Sequence, residues 1–189
     1  MPHRWFVVNA SESAARWVER PGLGRRALLE PENGRFPQVG IHLSVIGPGE
    51  HSTLYHAEEA QEDFLVLRGS CTAIVEEEER PVRQWDLIHC PPGTRHTFVN
   101  DGSEPCVLLM IGARRGGGIT YPVSDVALRH GAGVTVEADS PSDAYAGLEP
   151  WRPTDPAPLK PARRRGSERV ARAGLEPATP RFSAVCSTN

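Results

Sequence analysis

Residues 55–69 read YHAEEAQEDFLVLRG: a histidine, a cluster of carboxylates and a strand-like apolar run within fifteen positions. A second stretch answers it, HCPPGTRHTFVN at residues 89–100. His56 and Glu58 stand two apart, so on a strand they share a face. Glu62 follows a turn at Glu59-Ala60-Gln61 and leads the next strand. If it points inward, so do Phe64 and Val66, as a barrel interior requires. His96 heads another strand, with Phe98 and Asn100 on its side. Two imidazoles and two carboxylates converging at the mouth of a small β-barrel make a four-ligand site for one divalent metal, with room for water or a substrate.

On both sides of this pair the pattern is β. Ile41, Leu43 and Val45 alternate with His42 and Ser44, the period of a half-buried strand. Pro48-Gly49 turns the chain, and residues 53–58 form a second strand. Asp63–Leu67 and Cys71–Glu76 follow, then a charged hairpin tip at Glu77–Arg80 and a short edge strand at Pro81–Gln84. Asp86–Cys90 and His96–Asn100 flank the Pro91-Pro92-Gly93 turn. Cys106–Ile111 is apolar without interruption, as in a central strand. Short strands at this spacing predict an all-β barrel or sandwich over residues 40–122.

The flanks are weaker. Residues 1–39 read as an arm packing on the barrel: a short strand at Trp5–Val8, helical potential at Ser11–Glu19 and a break at Pro21–Gly24. A second short strand at Arg25–Leu29 and a turn at Glu32–Arg35 complete it. The loop GARRGGG at 112–118 leads to a last strand at Ile119–Val123. Residues 123–150 read as a C-terminal arm with a short helix, Ser124 capping its start and Gly131 following its end. A further helical turn begins near Ser140-Pro141. From residue 151 the chain is rich in proline and basic side chains, with little apolar periodicity, and is expected to be disordered to residue 189. Its Arg163-Arg164-Arg165 run reads as solvated charge. The closing AGLEPATPRFSAVCSTN resembles peptides translated from the strand opposite a transfer-RNA gene. The last ~20 residues are therefore read as a reading-frame accident.

Composition narrows the partners. Glycine and proline, 18 of each in 189 residues, favour turns and short strands over long helices. No apolar run approaches the roughly 20 residues of a membrane helix. The first residues lack the apolar core of a signal peptide, so a cytoplasmic protein without membrane contact is expected. The net charge is −3, yet residues 151–189 hold eight basic and three acidic side chains. The body is therefore acidic, which argues against nucleic acid as its natural partner. Cys71, Cys90, Cys106 and Cys186 form no CxxC pair and read as reduced, mostly buried thiols.

The two opening stretches resemble the motifs of the cupins, small barrels of the jelly-roll type. The first cupin motif sets a glycine, His-x-His, a glutamate and a glycine in order; here stand Gly49, His56-Ala57-Glu58, Glu62 and Gly69. The second ends in Pro-x-Gly, a histidine and an asparagine; here stand Pro91-Pro92-Gly93, His96 and Asn100. With WFVVNA, HCPPGTRH and YPVS, the chain is similar to a group of bacterial single-domain cupins to which no reaction is assigned. The resemblance implies a jelly-roll barrel, a homodimer, and His56, Glu62 and His96 as metal ligands. Two departures stand out: Glu58 occupies the place of the second histidine, and Trp85 that of a turn glycine. Glu58 is carried as a ligand by position alone. A second carboxylate hardens the site and favours Mn, Fe or Zn over copper.

Other polar residues read more simply. His51 and His89 suit a surface or a satisfied core better than the metal, Cys90 is a small buried group, and Tyr55 packs on the face away from His56. Arg114 and Arg115 lie in a flexible loop. Three functions stay open: a metalloenzyme acting on a small polar organic molecule, a non-catalytic barrel binding such a molecule, and a dimeric accessory module.

Overall fold

The computed structural model describes residues 5–12, 15–30, 34–115 and 117–159. Its strands are β1 (Arg16–Arg20), β2 (Gly24–Leu28), β3 (Val39–Ile46), β4 (Ala57–Glu58), β5 (Glu62–Arg68) and β6 (Ser70–Val75). They continue with β7 (Glu78–Arg83), β8 (Leu87–Cys90), β9 (His96–Val99), β10 (Cys106–Ala113), β11 (Ile119–Thr120) and β12 (Arg152–Pro153). Two short helices, α1 (Asp125–Arg129) and α2 (Pro141–Ala144), lie between the last two. The chain is all-β, as expected. No described helix is long and apolar enough to cross a membrane.

A seven-stranded antiparallel sheet runs β12-β1-β2-β3-β10-β5-β8. A three-stranded sheet, β7-β6-β9, and the pair β11-β4 complete the framework. The two larger sheets share one interior. Ile46, Phe64, Val66, Cys106, Leu108 and Met110 from the first meet Cys71, Ala73, Val82 and Phe98 from the second. β10 sits at the centre of the large sheet because its continuous apolar run feeds both faces. Leu108 and Met110 point inward, while Val107 and Leu109 point to an outer layer.

That outer layer takes up the apolar side of β3. Leu43 and Val45 face away from the barrel and pack with Trp17, Ala27 and Val107. The polar side of the strand, His42 and Ser44, shares parity with Ile46 and faces in. The alternation holds, and the apolar side of the strand covers the outside of the sheet beneath the N-terminal arm. The inner wall is polar.

The arm differs from its reading. Residues 16–20 form β1 instead of helix, closing an antiparallel hairpin on β2. Trp17 is buried and donates its indole N–H to the Ala10 carbonyl, so tertiary packing overrides weak helical spacing. Trp5–Val8 forms no strand; Trp5 is 88% exposed. The strand expected over 53–58 shrinks to β4, with single bridges from His51 to Val99 and from His56 to His96. The hairpin between β6 and β7 turns at Glu76-Glu77, both at positive φ, one residue earlier than read. These acids are engaged: Glu76 bonds Arg95, and Glu77 accepts from the Ser124 hydroxyl.

The helix starts hold. Ser124 accepts from the Ala127 N–H, and Ser140 from Asp143. The expected boundary at residue 151 moves. Arg152 and Pro153 pair with β1, Trp151 lies against two arginines, and Ala157 is buried in the outer layer. One aromatic anchor and an edge pairing hold residues 151–159 despite their proline content. The rest of the expected tail, with Cys186, lies outside the described residues, as does the first half of the turn read at 32–35.

Candidate metal centre

β5 carries Glu62 into the interior. Its register sets Glu62 beside Gly112 of β10 and Cys90 of β8, on the face shared with buried Phe64 and Val66. Glycine at 112 leaves space there, and the Glu62 side chain fills it. Gly69 ends the strand at φ +76, where an added Cβ would approach the Pro105 carbonyl to 2.5 Å; no other residue fits. His56 and His96 meet through a reciprocal backbone bridge, each N–H donating to the other's carbonyl. Their rings lie 4.7 Å apart between centroids.

His56, Glu62 and His96 each offer a ligand atom, all within 4.8 Å of one another. Glu62 Oε2 lies 3.3 Å from His96 Nε2 and 3.9 Å from His56 Nε2. Both Nδ1 atoms sit on backbone carbonyls, His56 on Leu54 and His96 on Thr94. A carbonyl only accepts, so each Nδ1 carries the hydrogen and each Nε2 turns a lone pair toward Glu62. This tautomer is the one a metal requires, with the outer nitrogen held by the backbone. The donor set thus fits a divalent cation.

Burial holds both histidines neutral. His56 is pushed down to about 3, with the neighbouring His96 and Arg26 adding to the effect, and His96 is lowered as well. Glu62 is pushed up to about 8, first by burial and then by the charge of Glu58. A cation would reverse that preference by replacing the proton.

Glu58 is not part of the three-residue group. It lines the same cavity as His56, so the two do share a side, but its carboxylate stays on the wall. Burial raises its pKa. Asn100, the last motif residue, is structural: its amide donates to the Ile46 and Glu104 carbonyls and accepts from the Gly102 N–H. His51 bonds the Thr53 carbonyl away from the cluster, and His89 pairs with Asp63 at the surface. Cys90 is a buried thiol held protonated, pushed up to about 12 by burial and nearby carboxylates. Tyr55 is buried on the opposite face and accepts from the Glu77 N–H. Arg114 is paired with Glu30.

A cavity of about 570 Å³ opens beside the cluster, lined by His56, Glu58, Tyr121 and Tyr145 and closed by Arg20, Arg26 and Trp151. Tyr121 stacks on the His56 ring at 5.7 Å. None of Arg20, Arg26, Tyr121, Tyr145 and Trp151 was singled out from the sequence. Tyr121 lay in the noted YPVS stretch and Arg26 in the short strand read at Arg25–Leu29, whereas Arg20, at the end of β1, fell outside every element read in the arm.

A small antiparallel β-barrel with two histidines and a glutamate gathered inside is the class of protein that fold and site define. Residues 42–112 match the model of the Cupin_2 family, described as a cupin domain. That stretch of the chain is a single cupin domain. An uncharacterised protein of Methanocaldococcus jannaschii is 24% identical over 93 residues, 49% of this chain and 74% of its own. Among solved structures, the polyketide cyclase RemF of Streptomyces resistomycificus has a TM-score of 0.52 at 18% identity, covering 61% of this chain and 84% of its own. A cupin-2 domain protein of Rhodospirillum rubrum has a TM-score of 0.51 at 20% identity, covering 68% and 88% respectively. Both likenesses bear on the fold.

Proposed function

We propose that the barrel holds one divalent cation on His56, Glu62 and His96 and binds a small polar organic molecule in the adjoining cavity. The convergence of three ligand atoms within 4.8 Å, with both imidazole tautomers set for coordination, carries this reading. The nitrogen and oxygen donors suit Mn, Fe or Zn. When bound, such an ion supplies Lewis acidity or an oxygen-activating centre. The chain's own residues do the rest. Tyr121 fixes the His56 ring, Phe64 packs against His96, and Glu58 presents a carboxylate of raised pKa on the cavity wall. A carboxyl in that position can take or return a proton on a bound molecule. The protein works in this reading as a cytoplasmic homodimer.

Elemental analysis of the purified full-length protein tests the metal reading. The expected result is close to one metal per chain, lost in His56→Ala, Glu62→Ala and His96→Ala and kept in Glu58→Ala. No metal after reconstitution with Mn, Fe and Zn would overturn it and leave a barrel that binds small molecules without an ion. Metal lost equally in Glu58→Ala would bring Glu58 back as a fourth ligand.

A further inference from the structure

The inner wall of β1, β2 and β3 carries polar atoms without partners. Among the described residues, Arg20 Nε, Arg26 Nε, His42 Nε2 and Ser44 Oγ are sealed from solvent and make no hydrogen bond. Register places Arg26 directly across from Ser44, and Leu28 across from His42, so Arg26, Ser44 and His42 occupy neighbouring rows of one wall. Orphaned buried polar groups are rare, and several on one wall beside a cavity point to a polar molecule that completes them.

Charge says what kind. Arg26 uses Nη2 on the Ser52 carbonyl. Its guanidinium lies 4.4 Å from the centre of the Trp151 ring. Arg20 lies 5.3 Å from the same ring and 5.0 Å from that of Tyr145. Among the described residues neither arginine has a carboxylate partner. The groups that act on the Arg26 charge are two tyrosines and Arg20 itself. Two guanidiniums sharing one aromatic ring, half-buried and without a counter-ion, repel each other and forfeit hydration. An arginine does not relieve this by losing its proton. Both line the cavity that reaches His56, and Arg26 also lines a second cavity that reaches His42.

We propose that Arg26 and Arg20 form an anion subsite that receives the carboxylate of a small organic acid, whose other end reaches the His56–Glu62–His96 cluster. The second point of attachment rests on the metal reading above; the first does not. A carboxylate is favoured because the Ser52 carbonyl occupies Nη2 of Arg26. The remaining planar donor edge matches two coplanar oxygens. Trp151 holds the pair by stacking, so the donors are ordered before the acid arrives. The cavity of about 570 Å³ has the capacity for a molecule of this class, with Tyr121 and Tyr145 as apolar walls.

The probe is malonate, titrated calorimetrically into the full-length protein after removal of metal with a chelator. Saturable binding is expected, weakened at least ten-fold in Arg26→Gln and several-fold in Arg20→Gln, while metal uptake by both variants stays at the wild-type level. Arg20→Gln keeps the test informative should Arg26→Gln fail to fold. Absence of saturable malonate binding, or equal affinity in the wild type and the folded variants, would overturn the subsite. Inorganic phosphate bound more tightly than malonate, with the same arginine dependence, would overturn the assignment to carboxylates. Arginine-dependent malonate binding in a protein that takes up no metal sinks the metal reading alone; metal uptake without malonate binding sinks the subsite alone.

Discussion

Glu62 is the residue on which the cluster turns, because its two forms serve two states. Without metal, burial and the charge of Glu58 push its carboxyl up to about 8, so near neutral pH it holds a proton that the unfolded chain has released. Above pH ~4.5 the unfolded state then binds fewer protons than the native state, and stability falls as pH rises until Glu62 ionises near 8. The histidines act the other way. His56 and His42, both pushed down to about 3, are neutral in the native state and protonated in the unfolded state below its ordinary value of 6.5. Their contribution is lost as pH falls. The metal-free protein is therefore expected to be most stable near pH 6.5 and to lose about 2 kcal/mol by pH 8.5, read as a drop in Tm. Glu62→Gln should flatten the alkaline limb while leaving the acid limb. An unchanged alkaline limb in that variant would show that Glu62 is ionised in the metal-free protein. Saturating divalent metal should also remove the fall, since it replaces the proton.

At the scale of elements, the turn between β7 and β8 shows what the departure at Trp85 costs. Trp85 adopts φ +78, the left-handed region where glycine is at ease, and its side chain is 69% exposed. It does not close the barrel mouth, and its N–H donates to the Val66 carbonyl as a glycine's would. Trp85→Gly should therefore stabilise the protein by about 0.5–1 kcal/mol, after the added freedom of the unfolded chain is set against relief of the strain. A urea midpoint shifted downward would mean that the indole packs on a neighbour. Elements also show what was legible. The motif spacing at Gly49, His56, Glu62, Pro91 and His96 gave β5 and β9 and their inward faces, since period and turn chemistry are local. β1 was misread because Trp17 is fixed by a hydrogen bond to Ala10 and by the outer layer, neither encoded in residues 11–19. Which side of β3 meets the barrel was not legible, because alternation gives the two faces of a strand but not which one faces the interior. The arginine wall was invisible for the same reason. Arg26 faces inward only because β2 pairs with β3 in the register that sets it opposite Ser44.

The whole molecule extends the barrel's main sheet on one side by two strands and a returning segment that pairs beyond them. β1 and β2 enlarge the main sheet, and β12 adds to its edge by pairing with β1. The returning segment also supplies Trp151 to the cavity, so the pocket beside the cluster is completed by a residue ninety-five positions after His56. The end of the folded unit can therefore be located by truncation. A chain ending at Leu159 should keep the Tm and the secondary-structure spectrum of the full-length protein. A chain ending at Pro150 loses the Trp151 contacts to Arg20 and Arg26, the Pro153 and Arg152 pairing, and the cover that Ala157 gives the outer layer. Cation–π contacts of this kind contribute about 0.5–2 kcal/mol each. The shorter chain should thus be less stable by about 2–3 kcal/mol and melt roughly 5–10 °C lower, by the usual slope for a domain of this size. Its arginines, stripped of the ring that orders them, should bind malonate several-fold more weakly than those of the chain ending at Leu159. Identical melting of the two chains would show that residues 151–159 rest on the barrel without supporting it.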